Sequence, residues 1–480
     1  MDIQLESGKG KTLSVFTLVM INVIAIDNLR SLTAGAMYGF SLIFFYILAA
    51  VLFFIPTILV TAELATGWPN TGGVYIWVRE AFGPRWGFLT IWLQWIYNVV
   101  WYPTIFAFMG GILAYLIYPP LVDNKYFMLG VVICAFWSTT LINFCGLKVS
   151  SWVSIIGAIT GTIFPMVLIA ILSFIWIYLG KPSQIHFSLN NLLPDYMSWQ
   201  NVAFLTNILF GLMGMEMSAV HAGDVHHPQR DYPRALLISA IIILITLLFS
   251  CMAIAIVIPV QQLNLVSGLI DAFGLFFKAY HLDWLIPVIA MFIIIGSLSG
   301  ATAWILGPAR GLCIAAEDGH LPRFLTKQNK QKMPIGILLT QGVIVTIICI
   351  VFLIMPTVNS SYWVLSNLTA QLALLFYILF FASAIRLRYK HAHIERAYQI
   401  PGGLRGIWLV CGLGIITCIS AIIVGFIPPA NMRKEGIIQY EAILIIGILV
   451  FCLFPMVLYY ARKKRLTSLH YPTKAGQHIK

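Results

Sequence analysis

The chain has 480 residues, 60% of them hydrophobic and 10% charged, with a mean hydropathy of +0.91. No soluble globular domain of this size has such values, and apolar runs of about 20 residues, enough to cross a hydrocarbon core of about 30 Å, recur along almost the whole length. The net charge of +12 argues for membrane topology rather than nucleic acid: with both termini cytoplasmic, all but six of the 29 Lys and Arg lie inside, Lys125, Lys181, Lys278, Arg433 and Lys434 outside, and Arg30 in a span.

Twelve spans are expected. The first, Thr12 to Met37, holds Asp27-Asn28-Leu29-Arg30-Ser31, two charges and an amide near mid-membrane. Such charges are costly there and usually face a polar cavity on a substrate or ion path, so a broken helix is expected at this point. The alternative is a pairing of Asp27 with Arg30 that only locks two helices together. No small-residue cleavage site follows the apolar run after Lys11, so the first span is expected to stay. Tyr38-Gly39-Phe40-Ser41 turns into a second span ending near Ala65, with a kink expected at Pro56. A Gly- and Pro-rich cytoplasmic turn, Glu63 to Tyr75, leads into a short amphipathic stretch, Ile76 to Phe82, expected to serve as a gate.

The third span, Gly87 to Leu116, places Gln94, Asn98 and Tyr102 on one helix face. Spans four and five (Lys125 to Phe144 and Ser150 to Leu179) close the first half. The sixth begins near Asn201 and repeats the anomaly of the first: Phe210-Gly211-Leu212-Met213-Gly214-Met215-Glu216 puts glycines and a carboxylate inside an apolar run, which predicts a second broken helix. Spans seven to ten (Ala235 to Ile258, Asp283 to Ala315, Ile335 to Met355, Ser361 to Arg386), with an amphipathic outside segment at Leu263 to Tyr280, complete a second set of five. Because five is odd, the second set runs inverted relative to the first, which matches the two broken spans. The expected architecture is thus an all-α polytopic membrane protein with a 5+5 inverted repeat. It is one membrane domain over 1–480: residues 12–180 and 201–386 are the two repeats, 405–461 two additional helices, and 462–480 a cytoplasmic tail.

Several motifs, taken jointly, carry a family resemblance. They are Asn28 to Leu32, Glu63 to Tyr75, Phe82-Gly83-Pro84-Arg85-Trp86-Gly87, Gly214 to Ala219 with Asp224 to Pro233, and Trp304-Ile305-Leu306-Gly307-Pro308-Ala309-Arg310-Gly311. With them the chain resembles the amino acid-polyamine-organocation transporters, and within these the bacterial glutamate/GABA antiporter branch. The resemblance implies a leucine-transporter-like fold in the inner (plasma) membrane and a substrate site between the breaks of the first and sixth spans. It also implies gating aromatics at Phe210 and Trp304 and a proton-sensitive glutamate at Glu216. Two departures stand out: Leu29 and Arg30 replace the small Gly-Ser-Gly type segment of arginine/agmatine relatives, and the tail after Tyr460 is short, so a long C-terminal plug is expected to be missing or reduced.

Free N–H and C=O groups at a helix break suit the carboxylate and ammonium of an amino acid. With the α-helical face of Gln94 and Tyr102 and the aromatics Phe210 and Trp304 that the resemblance implies, the expected substrate-binding set is Asn28, Leu29, Arg30, Ser31, Gln94, Tyr102, Phe210, Gly211, Gly214 and Trp304, with Glu216 for proton coupling or pH response. Glu216 could instead stay hydrogen-bonded throughout, and Phe210 and Trp304 could simply pack. Partners are amino acids, protons and lipid, with no nucleic acid and no cofactor. His221, His226 and His227 lack thiolates or a matched second shell for a metal. The eight cysteines show no C-x-x-C spacing and are read as packing residues. No nucleotide-binding glycine motif or nucleophile elbow supports ATP-driven transport or hydrolysis. The rival reading is a membrane amino acid receptor that keeps the transporter fold; a channel fits the broken helices less well.

Overall fold

The computed structural model describes residues 14–68, 73–146, 155–157, 159–193, 199–224, 228–428 and 436–470. All regular structure in them is helical. Among the described residues ten helices are long and apolar enough to cross a membrane, and a bent pair, Val15–Ile26 with Leu29–Ala36 at 43°, makes eleven. In chain order we label α1 (Val15–Ile26), α2 (Leu32–Ala36), α3 (Gly39–Gly67), α4 (Gly73–Phe82), α5 (Pro84–Ile117), α6 (Lys125–Phe144) and α7 (Phe164–Tyr178). The second half holds α8 (Trp199–Gly211), α9 (Pro228–Val257), α10 (Gly268–Ala279), α11 (Ile286–Glu317), α12 (Ile335–Ile348) and α13 (Val358–Lys390), followed by α14 (Gly403–Gly425) and α15 (Ile437–His470). The last helix runs on past Tyr460 to His470. α8 and the 3-10 segment Met215–Asp224 that follows it are each too short to cross alone at 1.5 Å per residue.

α5 is the post around which the bundle is built. It is buried along most of its length and packs against α13, α11, α4 and α6, while α1 lies along α9. α15 instead turns Ile438, Leu449, Leu453 and Val457 outward, as a lipid-facing helix does. Small residues set the closest approach: a Cβ on Gly161 would stand 2.3 Å from the backbone nitrogen of Gly296 on α11, so only two glycines let these segments touch.

Prolines inside spans raise a specific question in lipid, because each one strands the carbonyl four residues before it. Three of these carbonyls have a partner on another helix. Pro56 strands Leu52, where a π turn spans Ala50–Phe54 and Thr417 Oγ1, bonded to Leu413 O at 2.8 Å, also reaches Leu52 O at 3.2 Å. Pro308 strands Trp304, whose carbonyl accepts from the Tyr102 hydroxyl at 2.9 Å. Pro455 strands Phe451, whose carbonyl accepts from Trp92 Nε1 at 3.0 Å. The prolines thereby dictate which helices meet.

Candidate functional site

α1 ends because Asp27 and Asn28 turn extended, at φ/ψ of −62°/114° and −137°/133°. One side chain then serves both helix ends. Asn28 Oδ1 accepts from Ser31 N at 3.1 Å, capping the second piece, and Asn28 Nδ2 donates to Ile26 O at 3.1 Å, closing the first. The Ser31 hydroxyl adds a bond to Asn28 O at 3.1 Å. Another carbonyl freed at the end of α1, that of Ala25, accepts from Trp304 Nε1 at 3.2 Å. The opening N–H groups of the second piece, at Leu29 and Arg30, have no intrahelical partner by position.

The second break follows Gly211. Gly214 takes φ +124°, a conformation that strains any side-chain-bearing residue. Its N–H donates to the Tyr377 hydroxyl at 2.9 Å, and that hydroxyl donates to Glu216 Oε2 at 2.6 Å. Glu216 is buried and its other oxygen has no hydrogen-bond partner. The two breaks meet: a Cβ on Gly211 would be 3.7 Å from Ser31, and one on Gly214 would be 3.3 Å from Ile26 and 3.4 Å from Trp304.

Between them lies a cavity of about 60 Å³, room for several waters. Asn28, Leu29, Arg30, Phe210 and Trp304 are in its wall, joined by Asp27 from the first break and by Tyr97, Asn98 and Trp101 from α5. The other expected site residues stand just behind the wall. Gln94 Nε2 is 3.1 Å from Met217 Sδ, and Tyr102 is spent on the Trp304 carbonyl. Ser31 and Gly211 pack against each other, and Gly214 is held by Tyr377. Of the α5 face read from i, i+4 spacing, only Asn98 borders the cavity.

Arg30 and Asp27 do not pair. Arg30, 3% exposed, sends Nη1 to Tyr362 OH at 3.2 Å and Ser366 Oγ at 3.1 Å on α13. Its guanidinium lies 5.2 Å from the Phe210 ring centroid and 5.6 Å from that of Tyr362, a sandwich that holds a cation without a carboxylate. Asp27 faces the opposite way, with Oδ2 accepting from Thr246 Oγ1 of α9 at 2.9 Å. Tyr362, Ser366, Tyr377 and Thr246 escaped the reading of the sequence. The i, i+4 spacing of Tyr362 and Ser366 is the only trace they leave there, and it is common in any polar helix.

On the side of the amphipathic α4, a second constellation of charges ties helix ends together. Glu63 of α3 receives both Arg388 Nε, at 2.8 Å, and Arg388 Nη2 from α13. Arg396 Nη1 lies 3.6 Å from the same carboxylate, and Ile400 N donates to it at 2.9 Å. Tyr75 and Arg79 of α4 reach Asp318 at the end of α11, at 2.5 and 3.5 Å. Burial and the neighbouring carboxylate push the Tyr75 phenol well above its ordinary pKa, so it stays a donor. Among the described residues no group of three or more His, Cys, Asp or Glu could hold a metal. His226 and His227 lie outside the described residues, as does the His221 side chain.

An amino acid permease family model matches residues 11–454. The chain belongs to the amino acid permease family. This permease is 52% identical over 458 residues to an uncharacterized transporter of Legionella pneumophila, covering 95% of this chain and 98% of the relative. It is 30% identical over 461 residues to a glutamate/gamma-aminobutyrate antiporter of Lactococcus lactis, covering 95% and 92%. It is 26% identical over 449 residues to a probable agmatine/putrescine antiporter of the same species, covering 92% and 95%. The permease is a multi-pass protein of the inner membrane.

Proposed function

We propose that this permease is a secondary active amino acid antiporter that exchanges glutamate/GABA-like or other amino acids by alternating access, without ATP. The observation that carries the reading is the meeting of two helix breaks at one cavity, with Leu29 and Arg30, the opening residues of the second helix piece, in its wall. That arrangement suits a substrate with a carboxylate, and the names of the Lactococcus antiporters support the same class. Under this reading the wall residues Asn28, Leu29, Arg30, Phe210 and Trp304 touch the substrate. Ser31, Gln94, Tyr102, Gly211 and Gly214 shape the breaks, and Glu216 makes transport respond to pH.

The reading includes twelve crossings and both termini cytoplasmic. The broken members of its two inverted five-helix repeats are α1 with α2, and α8 with the segment Met215–Asp224. α14 and α15 are the two additions. No catalytic role is assigned to any residue. The second reading, an amino acid receptor, keeps the same cavity but needs no exchange.

Counterflow in proteoliposomes separates the two. The purified chain, loaded with unlabelled glutamate or GABA, should accelerate entry of the labelled compound. A panel of amino acids that gives no trans-stimulated uptake leaves the receptor reading.

A further inference from the structure

Asp27 is a carboxyl in the wall of the cavity, at the hinge of the first broken span, and the reading above gives it no task. It is 3% exposed. Its Oδ2 meets Thr246 Oγ1 at 2.9 Å, and its Oδ1 has no hydrogen-bond partner. The elements packed around it offer polar groups but no balancing charge among the described residues. From α9 come Thr246 and the Cys251 thiol, and from α3 the Tyr46 phenol, with Tyr38 beyond it; Tyr46 OH and Cys251 Sγ are 3.3 Å apart and engaged with each other. The Met215–Asp224 segment contributes Glu216, which is held by Tyr377. α11 brings Trp304, and the turn Ile159–Ile163 has no ionisable residue. Arg30, three residues on, is turned to α13. Among the described residues no cation lies within ion-pair distance of Asp27.

A buried carboxylate without a cation is costly, so this place in the structure calls for a positive charge. The Thr246 hydroxyl shows what kind. It sits 2.9 Å from Ile242 O as well as from Asp27, and a hydroxyl has one hydrogen. With that hydrogen on Ile242 O, Thr246 Oγ1 is free to accept from a protonated Asp27, and the chain Asp27 to Thr246 to Ile242 is complete. A hard metal cation would need more oxygen ligands than one hydroxyl, and the thiol alongside is a soft donor.

We propose that Asp27 is the proton-carrying group of the transport cycle, binding one proton between the first helix break and α9 and releasing it to water as the break reorients. The proton comes from water on one side and returns to water on the other, so no co-reactant is consumed. This rests on the exchange reading of the same cavity. Glu216, gripped at the second break, then sets the response to pH without being the carrier.

The test uses the full chain in proteoliposomes with a trapped pH dye, counting protons moved per labelled glutamate or GABA exchanged. Counterflow at symmetric pH reports on the exchange reading by itself. The proton count reports on Asp27. In Asp27→Asn the protons per amino acid should fall to the background of empty vesicles, whatever exchange rate remains, and Asp27→Glu should restore proton movement. A ratio equal to the parent's in Asp27→Asn, or no proton movement by the parent during working exchange, overturns the proposal. Infrared spectroscopy of the purified protein supplies a readout independent of transport. The protonated-carboxyl band should lose intensity in Asp27→Asn and shift in Asp27→Glu, and an Asp27→Glu spectrum identical to the parent's overturns it even if the Asn variant does not fold.

Discussion

The Tyr102 hydroxyl donates at 2.9 Å to the carbonyl of Trp304, the carbonyl that Pro308 cannot bond. The cavity-wall aromatic is thus held in place by a tyrosine of α5 that does not itself border the cavity. Removing the hydroxyl leaves a buried acceptor unpaired at a cost of about 1–3 kcal/mol. Tyr102→Phe should lower thermal stability in detergent and slow exchange. Adding Pro308→Ala, which lets the helix bond its own carbonyl, should recover part of the stability. A double variant no more stable than Tyr102→Phe alone would break the link between the two residues.

Arg30 is held by Tyr362, Ser366 and the Phe210 ring, with no carboxylate in reach among the described residues. A guanidinium left unpaired at low dielectric is a strong receptor for a second carboxylate. Arg30→Gln should reduce uptake of acidic amino acids far more than that of neutral ones, read as separate labelled uptakes at matched protein content. Equal loss of both would assign Arg30 a purely structural task.

Tyr377 accepts from Gly214 N and donates to Glu216 Oε2, so a single hydroxyl couples the second break to the carboxyl. Exchange by Glu216→Gln should become flat across pH while the protein stays folded. Tyr377→Phe should change the shape of the pH profile and not merely scale it. Profiles superimposable on the parent's after normalisation would move the pH response to another group.

At the α4 side, Glu63 is shared by Arg388, Arg396 and Ile400 N. Deleting one partner from a buried ion pair costs about 3–5 kcal/mol because the other charge is left uncompensated. Glu63→Ala, which strands two arginines, should depress the unfolding temperature more than Arg388→Ala, which leaves Glu63 with Arg396. The order of the two melting temperatures by scanning fluorimetry checks this.

The two breaks were legible because they violate their surroundings: Asp27 and Arg30 in one apolar run, Gly211, Gly214 and Glu216 in another. Local chemistry decides such points. Asn28 caps both sides of its own break, and Gly214 takes a positive φ where a glycine stands ready. Helical periodicity went less far at Gln94 and Tyr102. Both share a face with Asn98, yet α5 is buried almost all round, so that face meets Met217 and Trp304 on one side and the cavity only at Asn98.

Membrane class, helical architecture and the two places where a helix breaks follow from the sequence alone, because hydrocarbon permits few ways to satisfy a backbone and penalises each buried charge locally. Which group answers each exception was decided only in three dimensions. Asp27 and Arg30, three residues apart, were open to pairing or to facing a cavity separately, and Asp27 meets Thr246, 219 residues on, while Arg30 meets Tyr362, 332 residues on. The carbonyls stranded by Pro56, Pro308 and Pro455 likewise find Thr417, Tyr102 and Trp92 on other helices. A hydrogen bond has a reach of about 3 Å and no memory of sequence separation, so its partner is known only once the helices are packed.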